Sequence, residues 1–241
     1  MQISKSNDIT DSVLTNLLSF NHLESLSLRC CDKITDHGIA NLSHLVSLKK
    51  LDLRFCSKIT RLQALSQLTA LEMLDLGFCD KIDDGEIQYL KNMKLLKKLD
   101  LSRCKITDHG LQLLTSLVSL QELNLSNCLV TDIGMKYLQC FTNLTNVDLS
   151  ECKIGNLGLK HLANLKALQT LKLRSCDQID DSGLLPLQHL SSLRELDLSF
   201  CSNISDDGVR NLTKLNQKLN VSFCKITTDG IKHLTIQWTT V

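Results

Sequence analysis

The sequence predicts an α/β solenoid, a parallel sheet of short strands with one helical layer behind it. Three observations carry this. Nine of the eleven cysteines, Cys31, Cys56, Cys79, Cys104, Cys128, Cys152, Cys176, Cys201 and Cys224, recur at intervals of 23 to 25 residues, the length of one strand-plus-helix unit. Ahead of each, apolar residues alternate, as in LESLSLRCC from Leu23 and LRELDLSFC from Leu193, which is the period of a strand. Behind each, the apolar spacing lengthens to three and four, as in ITDHGIANLSHL from Ile34, which is the period of a helix.

Taken in order, Ile9 to Phe20 match the helical frame alone and read as a half repeat. The first strand centres on Leu26 and Leu28, whose side chains point inward while Ser25, Ser27 and Arg29 point outward. The frame returns as LKKLDLRFC from Leu48 and LQELNLSNC from Leu120. Val147 and Val221 replace leucine in two copies, and Asn216 breaks the apolar rule in the ninth. The frame reads with Thr or Asp as helix N-cap, and Asp36, Asp108 and Asp132 stand near the helix N-terminus, where negative charge is favoured. Gly38, Gly110, Gly134, Gly158, Gly183, Gly208 and Gly230 follow, with Gly85 shifted by one, and glycine there fits a tight loop-to-helix turn. Copy two, ITRLQALSQL from Ile59, lacks this element, so its helical side is expected to be short and the stack locally irregular. Ile236 and Trp238 are expected to cover the last core. The chain is read as one domain over 1–241: a half repeat over 1–22, eight repeats over 23–215, and a ninth repeat with its cap over 216–241.

These paired frames, running over about residues 9 to 234, resemble the leucine-rich-repeat family, and within it the cysteine-containing class found in F-box and leucine-rich-repeat proteins. IGNLGLKHLA from Ile154 is also similar to the repeats of GALA-type effectors that bacteria inject into host cells. The resemblance implies a right-handed leucine-rich-repeat solenoid, a horseshoe with its parallel sheet on the concave face and helices on the convex face. Strands ~4.8 Å apart backed by helices about 8 to 10 Å apart would bend the stack that way. Nine strands near ~17 Å long would offer roughly 650 Å², close to one partner's share of a standard interface, about 800 Å².

Composition narrows the function. With 43% apolar and 22% charged residues and a net charge of +1, the chain can bury a core and has no broad basic field, so neither nucleic acid nor a membrane is expected as partner. The longest apolar run is three residues, Cys128 to Val130, too short to span a bilayer. The start lacks a basic segment followed by an apolar stretch, and unpaired thiols suit a reducing cytoplasm, the host cytosol for an injected effector. The repeat cysteines are expected as small buried apolar groups with a weak hydrogen bond to backbone, which leaves Cys30 and Cys140 as ordinary thiols. No CxxC pair or HExxH, P-loop, dinucleotide or nucleophile-elbow motif occurs, so no metal, cofactor or catalytic residue is expected. The histidines, among them His37, His44, His109, His161, His189 and His233, are expected to face solvent.

The outward positions list the candidate binding surface. One column holds Lys50, Met73 and Lys98. The central one runs Ser27, Asp52, Asp75, Asp100, Asn124, Asp148, Lys172, Asp197 and Asn220. Beside it stand Arg29, Arg54, Gly77, Ser102, Ser126, Ser150, Arg174, Ser199 and Ser222, and next to the cysteines Cys30, Phe55, Phe78, Arg103, Asn127, Glu151, Ser175, Phe200 and Phe223. Four of the six phenylalanines fall in that last column, either to shield the turn or to serve as two apolar anchors with neighbouring arginines. Neighbouring Asp52, Asp75 and Asp100 should repel. Arg29, Arg54, Lys50, Lys98 and Arg103 could relieve this as a solvated lattice, or the row could receive a basic partner segment. One carboxylate per strand offers too few oxygens for calcium. The leading expectation is a non-catalytic, monomeric module that binds a protein, an enzyme or another effector, on its concave face. It would act as a bacterial effector or effector regulator that masks its target. The alternative is the substrate-recognition subunit of an SCF-type ubiquitin ligase, although the repeats begin by Ile9 without the F-box segment and no C-terminal ligase domain follows.

Overall fold

Every repeat supplies one three-residue strand. The computed structural model describes residues 9–212, 215, 217–232 and the backbone of 237–239. Asn216, His233, Ile236 and the Trp238 side chain, given roles above, lie outside the described residues. Packing divides the chain into two compact units, Met1–Leu123 and Asn124–Val241. In the first, β1 (Ser25–Ser27), β2 (Lys50–Asp52), β3 (Met73–Asp75) and β4 (Lys98–Asp100) run parallel in chain order, with Leu26, Leu51, Leu74 and Leu99 in one row. Strand β5 (Glu122–Asn124) falls at the boundary. In the second, β6 (Asn146–Asp148), β7 (Thr170–Lys172), β8 (Glu195–Asp197), β9 (Lys218–Asn220) and a further β10 (Gln237–Thr239) repeat the pattern, with Val147, Leu171, Leu196 and Leu219 aligned. Three residues span only about 10 Å, shorter than the expected strands, because a turn begins immediately after each one.

Behind the strands lie α1 (Asp11–Thr15), α2 (Asp36–Ala40), α3 (Asp84–Ile87), α4 (Asp108–Leu114), α5 (Asp132–Met135), α6 (Asn156–Lys160), α7 (Asp206–Val209) and α8 (Thr228–Ile231). Most are single turns, several passing into 3-10 helix, as at Asn41–His44 after α2. Copy two has only the 3-10 stretch Gln63–Gln67, as its missing frame predicts, and Asp181–His189, which holds Pro186, is 3-10 throughout. Proline there has no N–H to give the helical ladder. The core is the frame itself: Leu26, Leu28, Cys31, Ile34, Ile39, Leu42, Leu45 and Leu48 are at most 1% exposed. Each such leucine contributes ~1.5–3 kcal/mol through burial, and only the flanking repeats can cover it.

The strand-to-turn junction is the same in all nine copies. The cysteine N–H donates three residues back, as Cys56 to Leu53 at 3.0 Å. The residue before the cysteine takes positive φ, 64° at Phe55, Phe78 and Phe200 and 55–61° in the other six. Positive φ at the third position alone marks a type II turn, here built without glycine at a backbone cost of roughly 1–2 kcal/mol per residue. Cysteines of the later copies also donate back across the stack, whereas the Cys31 thiol turns to Arg29 O of its own copy. Cys56 Sγ donates to Leu28 O at 3.2 Å, Cys79 to Leu53 O at 3.3 Å and Cys201 to Leu173 O at 3.1 Å.

The helix N-termini correct two expectations. Asp11 does more than sit in a first turn: its carboxylate accepts from Thr35 N–H at 2.8 Å and Thr35 Oγ at 2.6 Å in the next repeat. Asp36 binds Thr60, Asp84 binds Thr107, Asp181 binds Ser205 and Asp206 binds Thr227 in the same way. The capping hydroxyls meanwhile accept from their own helices, as Thr35 from His37 N–H at 3.2 Å. The glycines serve this ladder and not a left-handed turn, since none has positive φ. A Cβ on Gly38 would collide with the Asp11 carboxylate, and one on Gly208 with Asp181. Gly85 is not a shifted counterpart. Glu86 occupies that slot because copy two has Arg61 where the ladder needs Asp, and the Glu86 carboxylate reaches back to Leu62 N–H at 2.6 Å.

Candidate functional site

In the first unit the ends of β1 to β4 assemble a strip of alternating cations and rings. The Phe55 and Phe78 rings stack at 4.2 Å between centroids and 30° between planes. Arg29 lies over Phe55 at 5.6 Å, Arg103 over Phe78 at 5.1 Å, and Arg54 over both at 5.3 and 4.8 Å. Each cation–ring contact is worth ~0.5–2 kcal/mol. The fixed turn that gives both phenylalanines positive φ aims their rings along the stack. Gly77 makes the room: a Cβ there would stand 2.6 Å from Arg54 Nη1.

Arg54 also crosses the carboxylate row. It pairs with Asp100 at 2.8 Å and lies 3.8 Å from Asp75. The other expected counter-cations take different partners: Lys98 pairs with Glu122 at 2.6 Å, and Arg29 and Arg103 hold rings. Lys50 is exposed and Met73 half-buried between it and Lys98. The row has a local cause. Asp52, Asp75 and Asp100 each accept the backbone N–H two residues on, from Arg54, Gly77 and Ser102, at 3.0, 2.8 and 2.8 Å. Asn124 does the same for Ser126. These are Asx turns that end the strands, and the Asn in the same column could have revealed that the oxygen, not the charge, is what the position requires. Charge is tolerated at some cost: burial and the nearby Asp100 carboxylate push Asp75 up to about 6, against the pull of Gly77 N–H and Arg54.

The second unit repeats half of the strip. Phe200 and Phe223 stack at 4.3 Å and 20°, and Arg174 covers Phe200 at 4.4 Å. Asp148 and Asp197 form Asx turns with Ser150 and Ser199 at 3.0 and 2.9 Å, and Lys172 stands between them, 3.5 Å from Asp148.

Burial pushes the Cys56, Cys79 and Cys201 thiols up to about 12, far from a reactive thiolate. Among the described residues no three His, Cys, Asp or Glu side chains converge as a metal site would need. No helix among them is long and apolar enough to cross a membrane.

Comparison with known proteins agrees with this construction. The family model for paired leucine-rich repeats matches residues 118–161, and that for single leucine-rich repeats matches 21–43, 92–114, 165–187, 189–216 and 217–234. No curated protein matches the chain in sequence. Among solved structures it is similar to internalin C2 of Listeria monocytogenes, at 24% identity and a TM-score of 0.61, and to a second internalin of that organism (inlF), at 23% and 0.65. Each alignment covers 97% of this chain and 84% of the internalin chain, and at such identity the likeness is one of fold. Repeat frame, buried leucine ladder and family models covering well over half of its length agree: the chain belongs to the leucine-rich repeat family.

Proposed function

We propose that this protein is a non-catalytic binding module that captures a protein partner on its strand face, with the Arg29–Phe55–Phe78–Arg103 strip as its principal anchor. The observation that carries this is the pair of half-buried stacked rings clamped between guanidiniums at fixed turns. Aromatic and arginine side chains dominate binding energy at interfaces, and a surface already ordered by its own turns loses little entropy on binding. A partner held there as a folded domain would have part of its surface masked. That suits a regulator of an enzyme or of another effector, acting in a reducing cytoplasm.

The test is capture by the immobilised chain from cell lysate, with the retained protein identified by mass spectrometry and then titrated in purified form. Phe78→Ala and Arg103→Glu are each expected to weaken its binding about tenfold with melting temperature nearly unchanged. Undiminished binding by both variants would put the site elsewhere. Arg54→Glu is a poor probe, because it would set a third carboxylate beside Asp75 and Asp100 and unsettle the fold.

A further inference from the structure

The two ends of the strip differ from its centre. Arg54 is neutralised by Asp100, whereas Arg29 and Arg103 are exposed and have no carboxylate within ion-pair distance among the described residues. Both guanidiniums are held by aromatic faces, so their N–H edges remain available for a ligand. The steps from Arg29 to Phe55, from Phe55 to Phe78 and from Phe78 to Arg103 are 5.6, 4.2 and 5.1 Å, which limits the distance between the two cations to about 15 Å. An extended chain advances ~3.3 Å per residue, so residues i and i+4 lie about 13 Å apart, i and i+2 only about 7 Å. Side chains i, i+2 and i+4 of such a segment also point to one side.

We infer that the strip reads an extended acidic–apolar–acidic segment of a partner protein, its two carboxylates four residues apart on Arg29 and Arg103 and the apolar side chain between them lying across Phe55 and Phe78. This deepens the function proposed above and rests on it. Carboxylates match guanidinium edges in bidentate fashion, and the two stacked rings offer the one apolar surface between the cations. A continuous polyanion fits worse, since Asp52, Asp75 and Asp100 line the adjacent column and would face its phosphates. The second unit supplies only Arg174 ahead of Phe200 and Phe223, so it offers one carboxylate seat and serves as an internal control.

Three synthetic peptides, titrated into the 15N-labelled full chain and followed through amide shifts, test this. The first, Gly-Glu-Ser-Phe-Ser-Glu-Gly, has both acids and the ring on one side; the second, Gly-Ser-Glu-Phe-Glu-Ser-Gly, has the same composition with the acids turned away; the third replaces both acids of the first with lysine. The first peptide is expected to shift the Phe55, Phe78 and Arg103 amides saturably, about tenfold more tightly than the second. The third should leave them unmoved, and the Phe200 amide should respond more weakly to the first. Arg29→Ala and Arg103→Ala should each abolish the preference for the first peptide while melting like the parent. Equal binding of the first two peptides, no binding of the first at millimolar concentration, or larger shifts from a single-stranded oligonucleotide would overturn the inference. If the peptides fail but Phe78→Ala still releases the captured protein, the acidic-segment reading falls and the wider binding function stands.

Discussion

Asp75 shows how one residue can be required for its oxygen and burdened by its charge. Its Oδ1 ends β3 by accepting from Gly77 N–H, a task that asparagine performs at position 124. Its pKa is raised from 3.8 to about 6, by burial first and by Asp100 second. The native state therefore holds a proton that the unfolded chain has released, and this group lowers stability as pH rises from about 4 to about 6. Asp75→Asn keeps the turn and removes the charge. It is expected to stabilise the protein by about 1–2 kcal/mol near neutral pH, with the gain fading towards pH 4, as urea denaturation at several pH values would show. A loss of stability at neutral pH would mean that Arg54 needs both carboxylates. At this scale the sequence made the phenylalanine column visible, but not its mechanism. Positive φ is usually advertised by glycine, and here nine residues adopt it without one. The ion-pair partners were equally hidden, because strand alternation says which side chains share a face and not which of them touch.

The helix N-terminus joins neighbouring elements into a stack. Thr35 caps its own helix and donates to Asp11 of the preceding repeat, so each cap is also a rung. Gly38 lies where that carboxylate needs space. Gly38→Ala is expected to cost ~1–3 kcal/mol by overpacking, and Asp11→Ala ~1–3 kcal/mol by leaving the Thr35 N–H unpaired. In the double variant the clash is gone, so the two losses should fall short of additivity by more than the ~0.5 kcal/mol scatter of independent sites. Chemical denaturation of the four proteins measures this, and strict additivity would mean that glycine is there for another reason. The expectation of a tight loop-to-helix turn failed because sequence registers the glycine but not what approaches it. The departure at Glu86 was readable in principle: copy two lacks its Asp, and copy three lacks its Gly at the matching slot. Strand and helix positions were legible throughout because each repeat restates the same switch of apolar period, and only the strand lengths were overestimated, since a turn begins directly after each strand.

At the scale of the whole chain, leucine is abundant because every repeat buries its own set against its neighbours, and the cysteines mark the repeat at its strand-to-turn junction. The fold class and family were legible for that reason. The division into two compact units was not, since the frame runs through the boundary at residues 123 and 124 unchanged. Which surface acts is a separate matter, because helix and strand sides repeat equally well. Exposed apolar residues occur on the helix side too, with Ile133 68% and Leu157 62% exposed, yet they lack the ring stacking and flanking guanidiniums of the strip. The most direct measurement is therefore the affinity of the captured partner for Phe78→Ala and for Leu157→Ala, side by side with the parent chain. The account predicts that Phe78→Ala loses about tenfold or more while Leu157→Ala binds like the parent. The reverse pattern, with Leu157→Ala impaired and Phe78→Ala intact, would contradict it.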